Sequence, residues 1–229
     1  MSQFNANSFS TIGTSTKISS DKQRIQKLVV HECCPQDIVI PLYISYISSL
    51  SKSPLYLPTS VYPLDNGVCL EQSVYGRKLF TSNYDIDFDY ILFILPQIID
   101  LFHYACQYKI YLDPHLSNFH VTDDSLKLID VSPPYSTRYN QFVNRKCSSS
   151  TERFFLMKNC LFFRWDFLPF HFVGDLTNIS HCSTFYFQPL YDSFKSLLPR
   201  STFYSDFIEK SLMIRHHENL RSKLNFNLL

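Results

Sequence analysis

The stretch that most constrains the fold is residues 111–130, which read YLDPHLSNFHVTDDSLKLID. Asp113 is followed five residues later by Asn118, and a β-prone run at 125–129 ends in a second acid, Asp130. This order predicts a loop that leaves a helix, turns into a short hairpin and presents three oxygen-bearing side chains to one point. Because Mg²⁺ prefers hard oxygen ligands, the stretch predicts a site for magnesium and a nucleotide triphosphate.

The rest of the chain supplies the elements that would surround this stretch. Residues 25–32 (IQKLVVHE) are typical of a strand, and residues 37–50 have helical spacing. A turn signal at 65–67 precedes another β-like run at 68–74. Residues 88–108 form a long apolar helix that leads directly into the loop. We therefore expect an α+β chain with a small β-rich front part and a mostly helical back part.

Two glycines are expected at turns. Short β-branched runs flank Gly13 within residues 9–18, which favours a β-hairpin with a tight turn. Gly174 and Asp175 favour a second turn. They follow a densely aromatic block, residues 154–172, which is expected to be buried as core packing, with a ligand pocket as the alternative.

Composition argues against several classes of protein. A chain of 229 residues fits one large domain or two closely joined lobes, and a net charge of +1 supplies no basic face for nucleic acid. The seven cysteines contain no C-x-x-C pair and indicate buried thiols in a reducing, cytoplasmic compartment. No secretory signal is visible at the polar N-terminus. The best membrane candidate, residues 91–110, contains Pro96, Asp100, His103 and Lys109, so we expect a buried helix and no membrane span.

The spacing of the polar residues in the loop carries a family resemblance. Asp113, His115 and Asn118 form D-x-H-x-x-N, which resembles the catalytic loop of the aminoglycoside phosphotransferase and choline kinase-like branch of the kinase superfamily. Protein kinases place Lys where His115 lies, so the small-molecule branch fits better. Asp130, preceded by Leu-Ile, resembles the metal-binding strand end of the same family.

The resemblance also implies a division of the chain. Residues 70–79, LEQSVYGRKL, are similar to the hinge of that family, and the similarity as a whole covers residues 68–134. It implies a protein kinase-like two-lobed fold with a reduced N-lobe. The small β-rich lobe would occupy residues 1–70, the hinge residues 71–79, and the helical lobe with the catalytic loop residues 80–229.

The chemistry that the resemblance implies is phosphoryl transfer from ATP with Mg²⁺, in which the protein mainly positions groups and supplies charge. Asp113 would orient the attacking hydroxyl and accept its proton. Asn118 and Asp130 would hold Mg²⁺. His115 would support the loop without reacting.

A further set of residues is expected to contact the nucleotide: Gly13, Ser15, Thr16, Lys27, His31, Glu71 and Ser73. The first three would cradle phosphate in a short loop. His31 stands where the resemblance places a phosphate-gripping lysine, and Lys27, on the same face of the strand, is the alternative. Backbone groups near Glu71 and Ser73 would contact adenine.

Three functions remain open on the sequence. The first is a phosphotransferase acting on a small hydroxylated or amine-bearing acceptor. The second is a pseudokinase that binds a nucleotide or a partner, because the helix at 37–50 has no Glu and the phosphate loop has only one glycine, Gly13. The third is a kinase-like enzyme that transfers phosphoryl or AMP to a protein. A purely structural alternative is that Asp113, Asn118 and Asp130 are ordinary turn and strand-end residues.

Overall fold

The computed structural model describes residues 12–19, 23–31, 36–65, 67–79, 88–122, 125–131, 162–179 and 187–226. Its strands are β1 (Ile12–Ile18), β2 (Arg24–His31), β3 (Thr59–Leu64), β4 (Gly67–Ser73), β5 (Arg77–Lys78), β6 (Phe119–Val121) and β7 (Leu126–Leu128). Its helices are α1 (Gln36–Leu50), α2 (Phe88–Tyr108), α3 (Leu168–Ile179), α4 (Phe187–Phe194) and α5 (Tyr204–Phe226), with short 3-10 turns at Leu116–Asn118 and Lys195–Leu197. The mixed α+β class predicted from the sequence is confirmed.

Four of the strands form an antiparallel sheet in the order β1-β2-β4-β3. The predicted strand at 25–32 is β2, which lies inside the sheet, and its Val29 is almost fully buried. β3 contains Pro63. Proline cannot donate to a ladder, and β3 tolerates it because this strand lies at the edge of the sheet.

The turn predicted at Gly13 is wrong. Gly13 lies inside β1, opposite Val30 of β2, and the strand continues to Ile18. The hydroxyl and β-branched residues after Gly13 favour extended backbone, so the segment forms one strand of the β1–β2 hairpin instead of a hairpin of its own. The rest of the segment predicted as a hairpin, residues 9–11, lies outside the described residues.

The helix predicted at 88–108 is confirmed as α2. Eight of its residues are buried at helical spacing and contribute to one apolar core that also includes residues of the four-stranded sheet and of α3 to α5. Among the described residues, α2 alone is long and apolar enough to cross a membrane. Its buried stripe in the protein core favours a core helix over a span.

Gly76 lies where the chain leaves the first sheet and enters the second. The second sheet has the order β5-β6-β7, and β5 begins directly after this glycine. Gly76 has a φ of +48°, and a Cβ there would lie 2.1 Å from the backbone oxygen of Val121 in β6. Only glycine combines this left-handed backbone with so close an approach.

The turn predicted at Gly174 and Asp175 is also wrong, because both residues lie inside α3. A Cβ on Gly174 would lie 2.7 Å from the backbone oxygen of Ser211, so the glycine lets α3 and α5 approach closely. The aromatic block just before it is core packing where the structure describes it. The buried phenylalanines of its described part are Phe162, Phe163, Phe170 and Phe172.

We predict that Gly76→Ala lowers the free energy of unfolding by about 2 kcal/mol or more, because the new methyl group meets backbone and the left-handed conformation becomes strained. The exposed neighbour Ser73, changed to Ala, is the control and is expected to stay within about 0.5 kcal/mol of the wild type. Urea unfolding followed by circular dichroism measures both. Equal stability of the two variants would contradict the role given to Gly76.

Candidate functional site

The loop after α2 is held from two sides. Lys109 has a φ of +53°, a left-handed conformation that ends the helix and redirects the chain. The hydroxyl of Tyr46 on α1 donates to the carbonyl of Tyr111 at 2.9 Å. On the other side, the backbone N–H of Leu112 donates to the carbonyl of Phe163 at 2.9 Å. These bonds fix the entry to the loop before the first predicted site residue.

The loop and the hairpin bring the three predicted oxygen-bearing residues to one end of β6 and β7. The amide nitrogen of Asn118 donates to the carbonyl of Asp113 at 3.2 Å, which closes the loop on itself. The carbonyl of Asn118 accepts the N–H of Ile129 at 2.9 Å, which extends the hairpin ladder by one residue. Asp130 therefore follows directly at the same end of the hairpin.

The hydroxyl of Tyr46 is influenced by the charges of both carboxylates. Burial raises the pKa of its hydroxyl well above the ordinary value, and the charges of Asp130 and Asp113 raise it further. The phenol therefore remains protonated and serves as a hydrogen-bond donor to the loop. Since both aspartates repel its ionised form, both lie within electrostatic reach of one side chain.

Lys27 joins the four-stranded sheet to this group. Its ammonium donates to the Oδ2 of Asp130 at 2.7 Å, and each side chain is about one quarter exposed, 25% and 24%. The sequence predicts that either His31 or Lys27 binds phosphate, and the structure brings Lys27 to the site. His31 is the last residue of β2, and its side chain lies outside the described residues.

The remaining predicted nucleotide contacts lie on the sheet. In the register of β2 and β4, Glu71 pairs with Gln26 and Leu70 pairs with Lys27. The side chains of Glu71 and Lys27 therefore lie on opposite faces of the sheet. The carboxylate of Glu71 accepts hydrogen bonds from Arg24 at 2.9 Å and from Gln26 at 2.8 Å. The structure therefore does not bring the Glu71 side chain to the group around Asp130.

Ser73 and the predicted phosphate loop have simpler positions. Ser73 is exposed at the end of β4. Gly13, Ser15 and Thr16 all lie in β1, and Thr16 is opposite Lys27 in the register. The predicted phosphate loop is therefore a strand beside Lys27. Contacts of its backbone with a nucleotide, and those of Glu71 and Ser73, stay predictions.

The sequence did not identify Asp175 as a site residue. It is 4% exposed on α3, and its Oδ2 accepts the N–H of Leu116 at 2.8 Å while its Oδ1 lies 2.8 Å from Nδ1 of His115. Burial alone would raise the pKa of Asp175, but the charge and hydrogen bond of His115 and the Leu116 N–H outweigh it, so the pKa is lowered. The sequence does contain a signal for Asp175, since it is an acid within the apolar run LPFHFVGDLTNI. A buried charge requires partners, so such an acid is expected to contact other polar groups.

His171 is the second residue that the sequence did not identify. It is fully buried on α3, and its Nδ1 lies 3.1 Å from the carbonyl of Phe162. Its ring packs edge-on against that of His115, with 4.9 Å between centroids. One donor atom each of Asp113, His115 and His171 lies within 4.8 Å of the others. His115 of the loop therefore faces His171 of α3, and Asp113 lies near both rings.

We predict that Asp175→Asn lowers the free energy of unfolding at pH 7 by about 2 kcal/mol or more, because the loop loses a charged acceptor. A carboxyl whose folded pKa is lowered stabilises the protein above its unfolded pKa of about 4 and loses that contribution as pH falls through the folded value. The acid side of the stability curve should therefore be shallower in the variant. Urea unfolding between pH 7 and pH 3 measures this slope.

The control is Asp100→Asn on the exposed face of α2. We expect it to keep the stability of the wild type at pH 7, because it changes an exposed side chain. If Asp175→Asn and Asp100→Asn behave alike, Asp175 does not anchor the loop.

Comparisons with known proteins do not assign the chain to a family. No protein-family model matches the chain, and the search of curated proteins finds no matching relative. The loop, its hairpin and the residues that contact them are therefore the features that indicate a function.

Proposed function

We propose that the protein is an ATP- and Mg²⁺-dependent phosphotransferase that acts on a small-molecule acceptor. The observation that best supports this proposal is the pairing of Lys27 with Asp130 at 2.7 Å, across 103 positions of sequence, beside a loop that carries Asp113 and Asn118. A cation from the sheet thus meets the metal-binding acid expected from the motif.

The charges of the group suit a metal–nucleotide complex. Two carboxylates, Asp113 and Asp130, accompany one ammonium, which leaves negative charge for a divalent cation to neutralise. Asn118 uses its amide nitrogen to hold the loop, so its amide oxygen is the atom to offer to Mg²⁺. On binding, Asp130 would turn to the metal and Lys27 to a phosphate oxygen.

Asp113 would act on the acceptor hydroxyl. Its Oδ1 accepts the backbone N–H of His115 at 3.3 Å, a weak bond that orients the carboxylate within the loop. The side chain is about a quarter exposed, 28%, so an acceptor can reach it. Phosphoryl transfer needs mainly such positioning and charge, because its transition state is loose and highly anionic.

The order of the elements supports the two-lobed, kinase-like arrangement. An antiparallel sheet with α1 between its second and third strands comes first in the chain. A link containing Gly76 then leads through β5 to α2, the loop and the hairpin. The acceptor class and the cytoplasmic location remain predictions of the sequence.

A pseudokinase that binds nucleotide without turnover is the second candidate. It is favoured by the partner of Lys27, which is Asp130, the proposed metal ligand. In that pairing each group satisfies the other, and a nucleotide must separate them before it can bind. Binding and turnover therefore have to be measured separately.

We predict that Lys27→Met weakens Mg²⁺–ATP binding about tenfold or more, because a charge-assisted hydrogen bond to phosphate contributes about 1.5–3 kcal/mol. Arg24→Met is the matched control, since Arg24 lies on the same strand but pairs with Glu71 on the other face. Isothermal titration calorimetry measures both affinities. Equal affinities in the two variants would remove Lys27 from the site.

We also predict that Asp130→Ala abolishes ATP consumption while the circular dichroism spectrum is retained. Asp113→Asn should lower turnover by about 10²–10⁴-fold and leave ATP affinity nearly unchanged. Mass analysis of the products distinguishes transfer of phosphate from transfer of AMP. Turnover that survives Asp130→Ala contradicts the mechanism, and nucleotide binding without turnover in the wild type favours the pseudokinase.

A further inference from the structure

We propose that Asp113, His115 and His171 form a binding site for one Zn²⁺ ion. The three residues come from the loop and from α3, and one donor atom of each lies within 4.8 Å of the others. Two imidazoles and one carboxylate are the ligand types that zinc takes in proteins, and three protein ligands leave a fourth position open. This is a different donor set from the oxygen ligands proposed for Mg²⁺.

The ring of His115 is oriented as a metal-bound histidine requires. Its Nδ1 lies 2.8 Å from the Oδ1 of Asp175, and a carboxylate oxygen accepts, so Nδ1 carries the proton. The lone pair of the neutral ring is then on Nε2, which lies 3.9 Å from the Oδ1 of Asp113. A histidine that binds zinc commonly donates its other ring N–H to a carboxylate, and Asp175 has that position here.

His171 has the same tautomer for a similar reason. Its Nδ1 lies 3.1 Å from the carbonyl of Phe162, and a carbonyl can only accept, so Nδ1 is again the donor. The ring is fixed further by stacking on Phe163, with 5.2 Å between centroids. In the neutral ring of each histidine, Nε2 is therefore the nitrogen that can bind a metal.

The ligand atoms lie up to 4.8 Å apart and must move closer together to bind one ion. Bonds of about 2.0–2.1 Å in a tetrahedral site separate the ligand atoms by about 3.4 Å. The 3.9 Å between Nε2 of His115 and Oδ1 of Asp113 must therefore shorten by about half an ångström. Rotation of the Asp113 carboxylate, which is 28% exposed, can supply this movement.

The mixed donor set also selects the ion. Imidazole nitrogen suits zinc and its transition-metal neighbours, whereas Mg²⁺ prefers an all-oxygen octahedral shell. The zinc site shares Asp113 with the proposed phosphotransferase, so Zn²⁺ should compete with any use of that carboxylate as a base. Only this competition for Asp113 depends on the proposed function. Binding of Zn²⁺ itself does not depend on it.

The test uses the full chain, freed of metal with a chelator, and titrated with ZnCl₂ and with CoCl₂ without nucleotide. We expect one equivalent of Zn²⁺ by calorimetry, and a visible Co²⁺ spectrum of a four-coordinate nitrogen and oxygen site that Zn²⁺ displaces. His115→Gln and Asp113→Asn should each weaken Zn²⁺ binding about tenfold or more. His171→Gln should do the same, with its folding checked by circular dichroism.

The matched control is His103→Gln, which removes an exposed histidine of α2 that contacts Ser196 at 3.2 Å, and it should leave Zn²⁺ affinity unchanged. No binding to the wild type would overturn the proposal. Equal affinity in His115→Gln and in the control would also overturn it. A sulfur-to-cobalt charge-transfer band would assign the ion to cysteines and overturn it too. Failure of ATP binding in a parallel titration would affect the proposed function alone.

Discussion

The buried carboxylate of Asp175 is the constraint on which the site depends. A charge at 4% exposure inside an apolar helix must be matched by partners, because an unpaired buried charge costs several kcal/mol. The loop supplies both partners, the backbone N–H of Leu116 and the ring of His115. With these contacts made, the chain enters the short turn that ends at Asn118 and the hairpin that ends before Asp130.

The second constraint joins the sheet to the hairpin. Lys27 reaches Asp130 across 103 positions of sequence, and this pair places a cation beside the oxygen donors of the loop. Asp113 and Asn118 lie in the loop that leads to this hairpin, and His115 of the same loop contacts Asp175 and His171 of α3. Asp113 belongs to both proposed sites, and hard-metal chemistry and transition-metal binding are therefore expected to compete around it.

The sequence predicted the parts of this arrangement that depend on local pattern. The helix α2 was predicted from its length and apolar stripe, and the spacing of Asp113, Asn118 and Asp130 predicted a loop followed by a hairpin. Asp175 was missed because a glycine before an acid favours a turn locally, whereas the close contact of α3 with α5 requires that glycine within a helix. The pairing of Lys27 with Asp130 depends on tertiary contact, which strand periodicity cannot predict.

The proposed nucleotide site is best tested by a crystal structure with a non-hydrolysable ATP analogue and Mn²⁺ in place of Mg²⁺. Anomalous scattering then locates the metal. A Mg²⁺–nucleotide site here predicts an anomalous peak within bonding distance of the amide oxygen of Asn118 and the carboxylate of Asp130. It also predicts a phosphate oxygen in contact with Lys27. A nucleotide bound elsewhere, with the Lys27–Asp130 pair intact, would contradict it.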